Sequence, residues 1–495
     1  MRSQMIRSGV ASKLKDGTLL ANKALVGGRW VGASEGSIFP VTDPATGEHI
    51  LSIPDLGELE LQEAIDAAHK AQKKWAKLTG KERGSYLRKL YDLVVQNVED
   101  LALILTAEMG KPLQEARTEI LYGASYIEWF AEEAKRIYGD VVPGHQADKR
   151  IFVLKSPVGV VGAITPWNFP SAMLARKLAP ALAVGCSMVA KPAAQTPLSA
   201  LALGVLAERA GLPEGVLNIV TSTNSAMVGS VFCANDKVRK ISFTGSTNVG
   251  RILMRQGADQ IKKLSLELGG NAPFIVFNDA DIEAAVEGSI VAKFRNAGQT
   301  CVCANRIYVQ SGVYQEFASK LASRVRDLKV GNGFAEGTQV GPLIDENAVK
   351  KVKEHLQDAL SHGAQIAAGG TSGEQGKQFF APTVLLGVTS KMKVATEETF
   401  GPLAPLFSFE TEEEVVAMAN NTEFGLAGYF YSRDVARIFR VAEDLETGMV
   451  GINTGLISTE VAPFGGVKQS GMGREGSKYG ADDYINIKYI CLSVS

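Results

Sequence analysis

The sequence predicts an α/β protein built around a parallel sheet. Beyond about residue 151, short continuous apolar runs alternate with helical patterns, and the first run covers residues 158–165. Continuous apolar runs are typical of strands buried on both faces, and their alternation with helices is typical of βαβ units. A chain of 495 residues is too long for one hydrophobic core, so we expect two or three domains.

The region before this sheet is predicted to be mostly helical. Residues 24–41 are typical of a hairpin with a glycine-rich turn. Within them, residues 32–36 match the nucleophile-elbow pattern G-x-S-x-G, but no buried strand precedes the serine and no helix follows it, so we interpret them as a turn. Apolar residues then recur at helical spacing, which predicts helices from about 58 onward and over about 81–97, 98–108 and 113–137.

Two β/α series are predicted after residue 151. The first has strands at about 158–165, 188–191, 216–220 and 240–244, with helices at about 171–184 and 198–210. The second has strands at about 272–277, 306–309 and 449–453, with helices at about 280–297, 313–327, 345–362 and 411–420. A loop is expected at 331–342 and a final strand at 484–492. Because parallel sheets bind ligands beyond the carboxyl ends of their strands, we expect the site there.

Charge and composition argue against several classes of function. The net charge of −1 supplies no electrostatic attraction for nucleic acid or an anionic membrane, and no apolar run approaches the ~20 residues that span a bilayer. Five thinly spread cysteines suggest a reducing compartment, which favours the cytoplasm. Without an H-E-x-x-H or C-x-x-C pattern we expect no protein-ligated metal.

The N-terminal stretch 1–20 is basic and lacks the apolar core of a secretory signal. Two interpretations stay open: a frayed basic tail, which we favour, and a short mitochondrial presequence. The stretch carries four basic residues and one acid, Arg2, Arg7, Lys13, Lys15 and Asp16.

Residues 243–250 are a candidate phosphate-binding turn. They directly follow a predicted buried strand and open a helix, where free backbone N–H groups and the helix dipole suit a phosphate. A plain βα turn is the alternative. A formal G-x-G-x-x-G match at 471–476 follows a loop rather than a strand, so we reject it as a dinucleotide site.

Lys191 and Ala194 bear on the choice of cofactor. Lys191 ends a predicted strand of the same sheet, so its ammonium is expected at the ligand edge; a solvated lysine is the alternative. An acid near Ala194 would bind ribose hydroxyls and repel a 2′-phosphate. The absence of charge at Ala194 therefore permits NADP.

The stretch 294–303 is the candidate centre of reaction, because it holds two thiols, Cys301 and Cys303, and one guanidinium, Arg295. A thiolate is the nucleophilic form, and a thiol of pKa ~8.5 is only a few per cent ionised at pH 7. A catalytic cysteine therefore needs a base or a positive field. Glu267, between two leucines, is a candidate base with a raised pKa. Packed cysteines and a solvent-facing glutamate are the alternatives.

Seven motifs then occur in the order found in the aldehyde dehydrogenase superfamily. They are Pro166-Trp-Asn168-Phe-Pro170, Phe243-Thr-Gly245-Ser-Thr, Leu266-Glu267-Leu-Gly-Gly270-Asn, Gly298-Gln-Thr-Cys301, Glu397-Glu398-Thr-Phe400-Gly-Pro402, Pro463-Phe-Gly-Gly466 and Ser470-Gly-Met-Gly-Arg474-Glu. The resemblance covers the chain from about residue 25 to its end. More narrowly, residues 129–148, 294–303 and 473–480 resemble the bacterial NADP-preferring succinate-semialdehyde dehydrogenase branch.

The resemblance implies three structural parts and an oligomer. A Rossmann-like, dinucleotide-binding domain is expected at 1–138 and 158–266, and a β/α catalytic domain at 267–465. A small β oligomerisation element is expected at 139–157 and 466–495. The implied assembly is a homodimer or a homotetramer.

The resemblance also implies the site residues. Cys301 resembles the nucleophile, Glu267 the base, and Asn168 the side-chain donor of the oxyanion hole. The implied cofactor contacts are Thr165, Trp167, Lys191, Ala194, Gly245, Ser246, Glu398 and Phe400. NADP is the expected cofactor because of Ala194, with NAD also possible.

The implied small-molecule substrate is an aldehyde with a carboxylate at its far end. Arg176 and Arg295 match the family's carboxylate anchors and Ser458 their hydroxyl partner; an arginine suits this task because it donates two parallel hydrogen bonds. The implied reaction oxidises succinic semialdehyde to succinate through a cysteine thioester. Glutarate semialdehyde is an alternative substrate, because one extra methylene is discriminated by only ~1–3 kcal/mol.

Two rival functions belong to different classes of protein. A non-catalytic structural protein on the same fold is a remote one. A CoA-acylating enzyme is a weaker one, because such an enzyme would not need the hydrolytic base Glu267. Cys303 is either a packing residue or a redox thiol that pairs with Cys301 after the loop rearranges to meet disulfide geometry.

Overall fold

A computed structural model describes residues 9–494 of the chain. Part of the basic N-terminal stretch, including Arg2 and Arg7, lies outside the described residues, and the presequence interpretation rests on it. The remainder of that stretch is docked rather than frayed, because Asp16 forms an ion pair with Arg209 at 2.6 Å. The backbone N–H groups of Lys15 and Asp16 also donate to the Asp100 carboxylate.

The described residues contain short and long strands, together with a few single turns of 3-10 helix. In chain order the strands are β1 (Ala24–Val26), β2 (Arg29–Val31), β3 (Ile38–Thr42), β4 (His49–Pro54), β5 (Asp140–Val142), β6 (Lys149–Pro157), β7 (Val160–Ile164), β8 (Ser187–Lys191), β9 (Leu217–Ile219), β10 (Val238–Thr244), β11 (Lys263–Glu267), β12 (Ala272–Val276), β13 (Ala304–Gln310), β14 (Gln365–Ala368), β15 (Thr383–Leu386), β16 (Leu403–Phe409), β17 (Phe424–Gly425), β18 (Ala427–Tyr431), β19 (Met449–Ile452), β20 (Val467–Lys468), β21 (Gly471–Met472) and β22 (Ile485–Ser493).

The helices surround the two large sheets. They are α1 (Glu58–Trp75), α2 (Gly80–Gln96), α3 (Val98–Met109), α4 (Leu113–Glu133), α5 (Pro170–Val184), α6 (Leu198–Arg209), α7 (Ser225–Ala234), α8 (Thr247–Gly257), α9 (Ile282–Phe294), α10 (Tyr314–Arg326), α11 (Glu346–Ser361), α12 (Lys393–Thr396), α13 (Glu412–Asn420), α14 (Val435–Asp444) and α15 (Tyr479–Asp482). Helix α5 is buried along its whole length, as its Ala- and Leu-rich sequence requires.

The larger sheet has the order β2-β1-β9-β8-β7-β10-β11-β21. Strands β9, β8, β7, β10 and β11 run parallel, and the strands at either side join antiparallel. Strands β7 and β8 are buried throughout, in agreement with the continuous apolar runs in their sequence. The carboxyl ends of β7, β8, β10 and β11 therefore lie at one edge.

The second large sheet has the order β14-β15-β16-β13-β12-β18-β19 and is parallel except between β14 and β15. Residues 268–271 connect the carboxyl end of β11 to the start of β12, which pairs with β13 at Ala272 and Ala304. The ligand edge of the first sheet thus meets the amino ends of β12 and β13. Residues 295–303 enter at this junction.

A separate three-stranded sheet has the order β22-β6-β5. It contains the expected oligomerisation segments 139–157 and the end of the chain, and it exposes Val141 by 80% and Ile487 by 72%. Within the expected segment 466–495, β21 pairs with β11 in the larger sheet, and β22 pairs with β6 in the three-stranded sheet.

Several predicted elements need correction. The hairpin expected over 24–41 is two hairpins, because β1 pairs with β2 and β3 pairs with β4. The helix expected to 297 ends at Phe294, because the backbone of Asn296 and Ala297 becomes left-handed. Helices α7 and α14, and strands β14, β15, β16 and β18, were not predicted. Among residues 9–494, no helix combines the length and the apolar character needed to cross a membrane.

Candidate active site

Cys301 lies where two cavities meet. The first cavity has a volume of about 470 Å³ and the second about 370 Å³, and Cys301 and Met173 line both. Each volume falls within the range of about 300–1,000 Å³ that is usual for small-molecule sites. A thiol at this junction can contact ligands in both cavities.

The turn before Cys301 is strained and firmly held. Asn296 has φ 53° and Ala297 φ 55°, a left-handed conformation that costs an L-residue about 1–2 kcal/mol. The Glu115 carboxylate accepts the backbone N–H of Asn296 at 2.9 Å. The Asn296 side-chain amide donates to the backbone carbonyl of Asn168 at 3.0 Å. These contacts fix the path of the chain into the nucleophile.

Burial raises the pKa of Cys301 to about 12. The positive charges of Arg176 and Arg295 oppose this rise, whereas the carboxylates of Glu267 and Glu398 add to it. The thiol is therefore protonated at neutral pH in the absence of ligands. It needs a proton acceptor or a closer positive charge to become a nucleophile.

Glu267 is a buried carboxyl group with an unused oxygen. It ends β11, its side chain is buried, and within the described residues Oε2 has no hydrogen-bond partner. Burial and, next, the charge of Glu475 raise the pKa of Glu267 well above its usual value. The raised pKa of Glu267 agrees with the expectation from the sequence. The Glu267 carbonyl also accepts the Gly245 N–H at 3.0 Å, which ties this residue to the candidate phosphate turn.

Asn168 is fixed from both its backbone and its side chain. Its Nδ2 donates to the Gln299 carbonyl at 3.0 Å, and its own carbonyl accepts from Lys111 Nζ at 2.8 Å. Lys111 forms a 2.6 Å ion pair with Glu119, and both side chains are completely buried. Since an amide nitrogen carries two hydrogens, Asn168 keeps one donor for an oxyanion.

The second cavity has the features of a dinucleotide site. Ser246 is the N-cap of α8, so the free N–H groups of that helix start face the same edge as Gly245. Glu398 accepts the Gly270 N–H at 3.0 Å, and burial raises its pKa to about 7. A Cβ on Gly269 would approach Glu398 Oε2 to 3.0 Å, so the missing side chain keeps this carboxylate accessible. The expected cofactor contacts that line this cavity are Trp167, Gly245, Ser246, Glu398 and Phe400.

Three expected cofactor contacts do not line the second cavity: Thr165, Lys191 and Ala194. They lie at the same sheet edge, where the Thr165 N–H donates to the Lys191 carbonyl at 3.1 Å. Lys191 Nζ donates to Ser225 Oγ at 2.8 Å, and burial lowers the pKa of Lys191 to about 8. Their position fits a longer ligand that continues along this edge.

The first cavity contains the three expected substrate contacts, Arg176, Arg295 and Ser458. Arg176 is buried and forms a 2.5 Å ion pair with Glu475. Arg295 is partly exposed, and its Cζ lies 5.6 Å from the centre of the Phe169 ring. The two arginines therefore differ: one is already paired with a carboxylate, and the other faces the cavity beside an aromatic ring.

The profile of the aldehyde dehydrogenase family matches residues 30–490. The chain belongs to the aldehyde dehydrogenase family. It is 61% identical over 97% of its length to a glutarate-semialdehyde dehydrogenase of Pseudomonas putida, of which it covers 100%. It is 59% identical, with the same coverages, to the NADP(+) succinate-semialdehyde dehydrogenase of Escherichia coli.

A solved structure is equally similar to this aldehyde dehydrogenase. The succinate-semialdehyde dehydrogenase of Burkholderia pseudomallei has 60% identity and a TM-score of 0.96, with 97% of this chain and 100% of that chain covered. The α/β architecture expected from the sequence is therefore confirmed as the aldehyde dehydrogenase fold.

Cys303 is packed apart from both cavities of this aldehyde dehydrogenase. It is buried, and Lys293 Nζ donates to its Sγ at 3.3 Å and to Asn305 at 2.9 Å. Burial raises its pKa. Cys301 and Cys303 are both free thiols, and the redox interpretation stays a prediction.

Other residues of the aldehyde dehydrogenase site were not identified from the sequence. Lys111 lies in the Gly-Lys-Pro segment between the helices predicted at 98–108 and 113–137, and Glu475 belongs to a family motif that suggested no role for it. Lys351 lines the second cavity, yet it resembles any solvated helical lysine. Within residues 9–494, no three His, Cys, Asp or Glu side chains cluster as a metal site would require.

Proposed function

We propose that this aldehyde dehydrogenase oxidises succinic semialdehyde to succinate with NADP. The observation that carries the proposal is the position of Cys301, shared by a cavity with two arginines and a cavity with a helix N-terminus. Two relatives, 61% and 59% identical, bear the names of dehydrogenases for glutarate semialdehyde and succinate semialdehyde, which end in a carboxylate. The chemistry of both cavities agrees with such a substrate.

The residues of the second cavity suit a nicotinamide dinucleotide. The start of α8 would hold the pyrophosphate, and the Glu398 carboxylate would accept hydrogen bonds from ribose hydroxyls. When bound, the cofactor supplies the hydride acceptor. Lys191 and the uncharged Ala194 support NADP, because they offer one positive and no negative charge to a 2′-phosphate.

Cys301 begins the reaction by attacking the aldehyde carbon. Glu267 accepts the thiol proton, which a carboxyl group of raised pKa does effectively near neutrality. The oxygen of the tetrahedral adduct becomes an anion, which the free Asn168 amide hydrogen and the backbone N–H of Cys301 stabilise. Each such donor contributes about 3–4 kcal/mol to the transition state. Loss of hydride from the adduct leaves an acyl thioester on Cys301.

Glu267 then acts a second time. Once the thiol proton has passed from Glu267 to solvent, the carboxylate removes a proton from water and the resulting hydroxide attacks the thioester carbon. The C–S bond breaks, the product acid leaves and ionises to succinate, and the Cys301 thiolate takes the proton from Glu267 to restore the thiol. The buried Oε2 of Glu267 has no hydrogen-bond partner among residues 9–494, so it can accept a hydrogen bond from a water molecule, which suits this step. A CoA-acylating enzyme would share the activation of the thiol but would not need this hydrolytic step.

The far carboxylate of the substrate is held in the first cavity. Arg295 can donate two parallel hydrogen bonds to it, and Ser458 can donate one more. Glutarate semialdehyde is the second candidate substrate, favoured by the 61% identical relative and by the small discrimination of one methylene, ~1–3 kcal/mol.

The proposal extends to assembly and cellular location. The sheet of β5, β6 and β22 would join two copies of the chain in a homodimer or homotetramer, because it exposes apolar side chains that a partner would cover. Five free cysteines suit the reducing cytoplasm.

One steady-state comparison tests the proposal. Succinic semialdehyde, glutarate semialdehyde and an uncharged aldehyde are each assayed with NADP and with NAD. The highest kcat/KM is expected for succinic semialdehyde with NADP, and Cys301→Ala should abolish turnover while cofactor binding persists. A preference for the uncharged aldehyde would contradict the role of the arginines, and a tenfold preference for NAD would contradict the role of Ala194 (about 1.4 kcal/mol).

A further inference from the structure

We propose that His355 is a positioning residue that holds the segment 397–400 in the shape that receives the cofactor. The proposal rests on the proposed function, because it takes Glu398 and Phe400 as cofactor contacts. His355 lies on α11, far from both in sequence. It touches neither the reacting atoms nor the cavity, and it acts through the two residues that flank Glu398.

His355 is a buried residue with a polar contact at each of its two ring nitrogens. Only 1% of its surface is exposed. Its Nδ1 lies 3.1 Å from Thr399 Oγ1, and its Nε2 lies 3.2 Å from Glu397 Oε2. Both ring nitrogens are therefore used, and they bind the segment on either side of Glu398.

Hydrogen-bond chemistry determines the direction of both contacts. A carboxylate only accepts, so Nε2 carries the hydrogen and donates to Glu397. The neutral ring then accepts at Nδ1 from the Thr399 hydroxyl. Burial lowers the pKa of His355, which agrees with a neutral ring. One imidazole thus serves as donor to one flank and acceptor for the other.

The segment needs such support because its backbone is strained. Phe400 has φ 55°, a conformation that a bulky residue adopts only when its surroundings impose it. Glu398 is held at Gly270, and the Phe400 ring packs edge-on against Trp167 with centroids 5.5 Å apart. The buried Thr399 lies between these two contacts, and His355 holds its side chain.

Helix α11 connects this support to the cavity wall. Lys351, one turn before His355, lines the second cavity together with Glu398, Thr399 and Phe400. A change at His355 would therefore move the cavity wall and the segment relative to each other. The alternative is that His355 only contributes to core stability, in which case cofactor affinity would not depend on it.

The test compares cofactor binding with stability in His355→Phe and Thr399→Val. The first keeps a ring and removes both hydrogen bonds, and the second keeps the shape of Thr399 and removes one. His362→Phe is the matched control, since His362 follows the same helix and its side chain is 46% exposed. NADP affinity is measured without aldehyde, from the quenching of tryptophan fluorescence, with the melting temperature recorded for each variant.

We expect the Kd for NADP to rise about tenfold in His355→Phe and less in Thr399→Val, with the KM for aldehyde unchanged. The deuterium isotope effect with the 1-deuterated aldehyde should also rise, because hydride transfer becomes slower. His362→Phe should match the wild type. A folded Thr399→Val or His355→Phe protein with wild-type NADP affinity, whatever its melting temperature, would overturn the inference. A wild-type protein that binds neither NADP nor NAD would overturn the proposed function itself.

Discussion

Arg176 and Glu475 form a buried ion pair, with Nη2 and Oε2 2.5 Å apart. Lys177 reaches the other oxygen of the same carboxylate at 2.5 Å. The positive charge of Arg176 is therefore already neutralised by the Glu475 carboxylate. Arg295, the other arginine of the first cavity, has no hydrogen bond to a protein carboxylate among residues 9–494, so it should contribute more to binding an anionic substrate.

The first prediction concerns Arg295. Arg295→Gln should raise the KM for succinic semialdehyde about 10- to 100-fold, because it removes charged hydrogen bonds to the substrate. The KM for an uncharged aldehyde should change little. Steady-state kinetics on both aldehydes measure the difference, with Arg433→Gln, an exposed arginine, as the control. An equal loss for both aldehydes would show that Arg295 does not select the carboxylate.

The second prediction concerns Glu475, whose negative charge helps to raise the pKa of Glu267. Glu475→Gln removes that charge, so the pKa of Glu267 should fall and the base should ionise at lower pH. The acid limb of the kcat profile should therefore move to lower pH. Glu423→Gln, at an exposed ion pair, is the control. A limb that stays in place or moves upward would contradict the coupling.

The third prediction concerns the thiol of Cys301, whose pKa is about 12 in the free enzyme. Its alkylation by iodoacetamide should be slow at pH 7 and should rise about tenfold per pH unit up to pH 9, following the thiolate fraction. Mass spectrometry of the peptide that contains Cys301 measures the rate. In the urea-unfolded chain the same curve should bend near pH ~8.5. A bend at that pH in the folded enzyme would contradict the raised pKa.

The fourth prediction concerns the completely buried pair of Lys111 and Glu119. Lys111→Met should lower the free energy of unfolding by about 3–5 kcal/mol, because it leaves a buried charge unpaired. Adding Glu119→Gln should restore part of the loss. Arg88→Met, at a half-exposed pair, should cost only about 0–1 kcal/mol. Urea unfolding measures all four proteins, and equal losses at the two pairs would contradict the distinction.

The fifth prediction concerns Ala194, which is partly exposed at the sheet edge next to Lys191. Ala194→Glu should lower kcat/KM with NADP by about tenfold or more, because its carboxylate repels the 2′-phosphate. The measured quantity is the ratio of kcat/KM with NADP to kcat/KM with NAD. Ala194→Gln has nearly the same volume without the charge and should keep the wild-type preference. A fall with NAD as large as that with NADP would indicate a steric effect instead.

The first sheet could be predicted from the sequence because its strands are buried on both faces. Strands β7 and β8 have no solvent-exposed face, so each can be recognised as a continuous apolar run in the sequence. Strand β16 was missed because it contains Pro405, a residue that argues against a strand position. The pairing that admits Pro405 depends on β15 and β13, which lie elsewhere in the sequence.

The candidate site was predictable where a motif carried it, as for Cys301, Glu267 and Asn168. The contacts that support those residues were not predictable. Arg176 and Glu475 lie almost 300 residues apart and meet only after both sheets have formed. His355 resembles any helical histidine until its two partners are known. Spacing along the chain holds no information about such pairs.

The left-handed residues Asn296, Ala297 and Phe400 have a consequence for protein engineering. Glycine in place of Ala297 would recover about 1–2 kcal/mol with the loss of one methyl group, whereas glycine in place of Asn296 or Phe400 would also lose the Asn296 hydrogen bonds or the Phe400 ring contact. Directed evolution for heat resistance should therefore find Ala297→Gly among its gains. Because Ala297 lies in the turn that leads into the nucleophile Cys301, the more heat-stable enzymes selected in this way should also have a lower kcat.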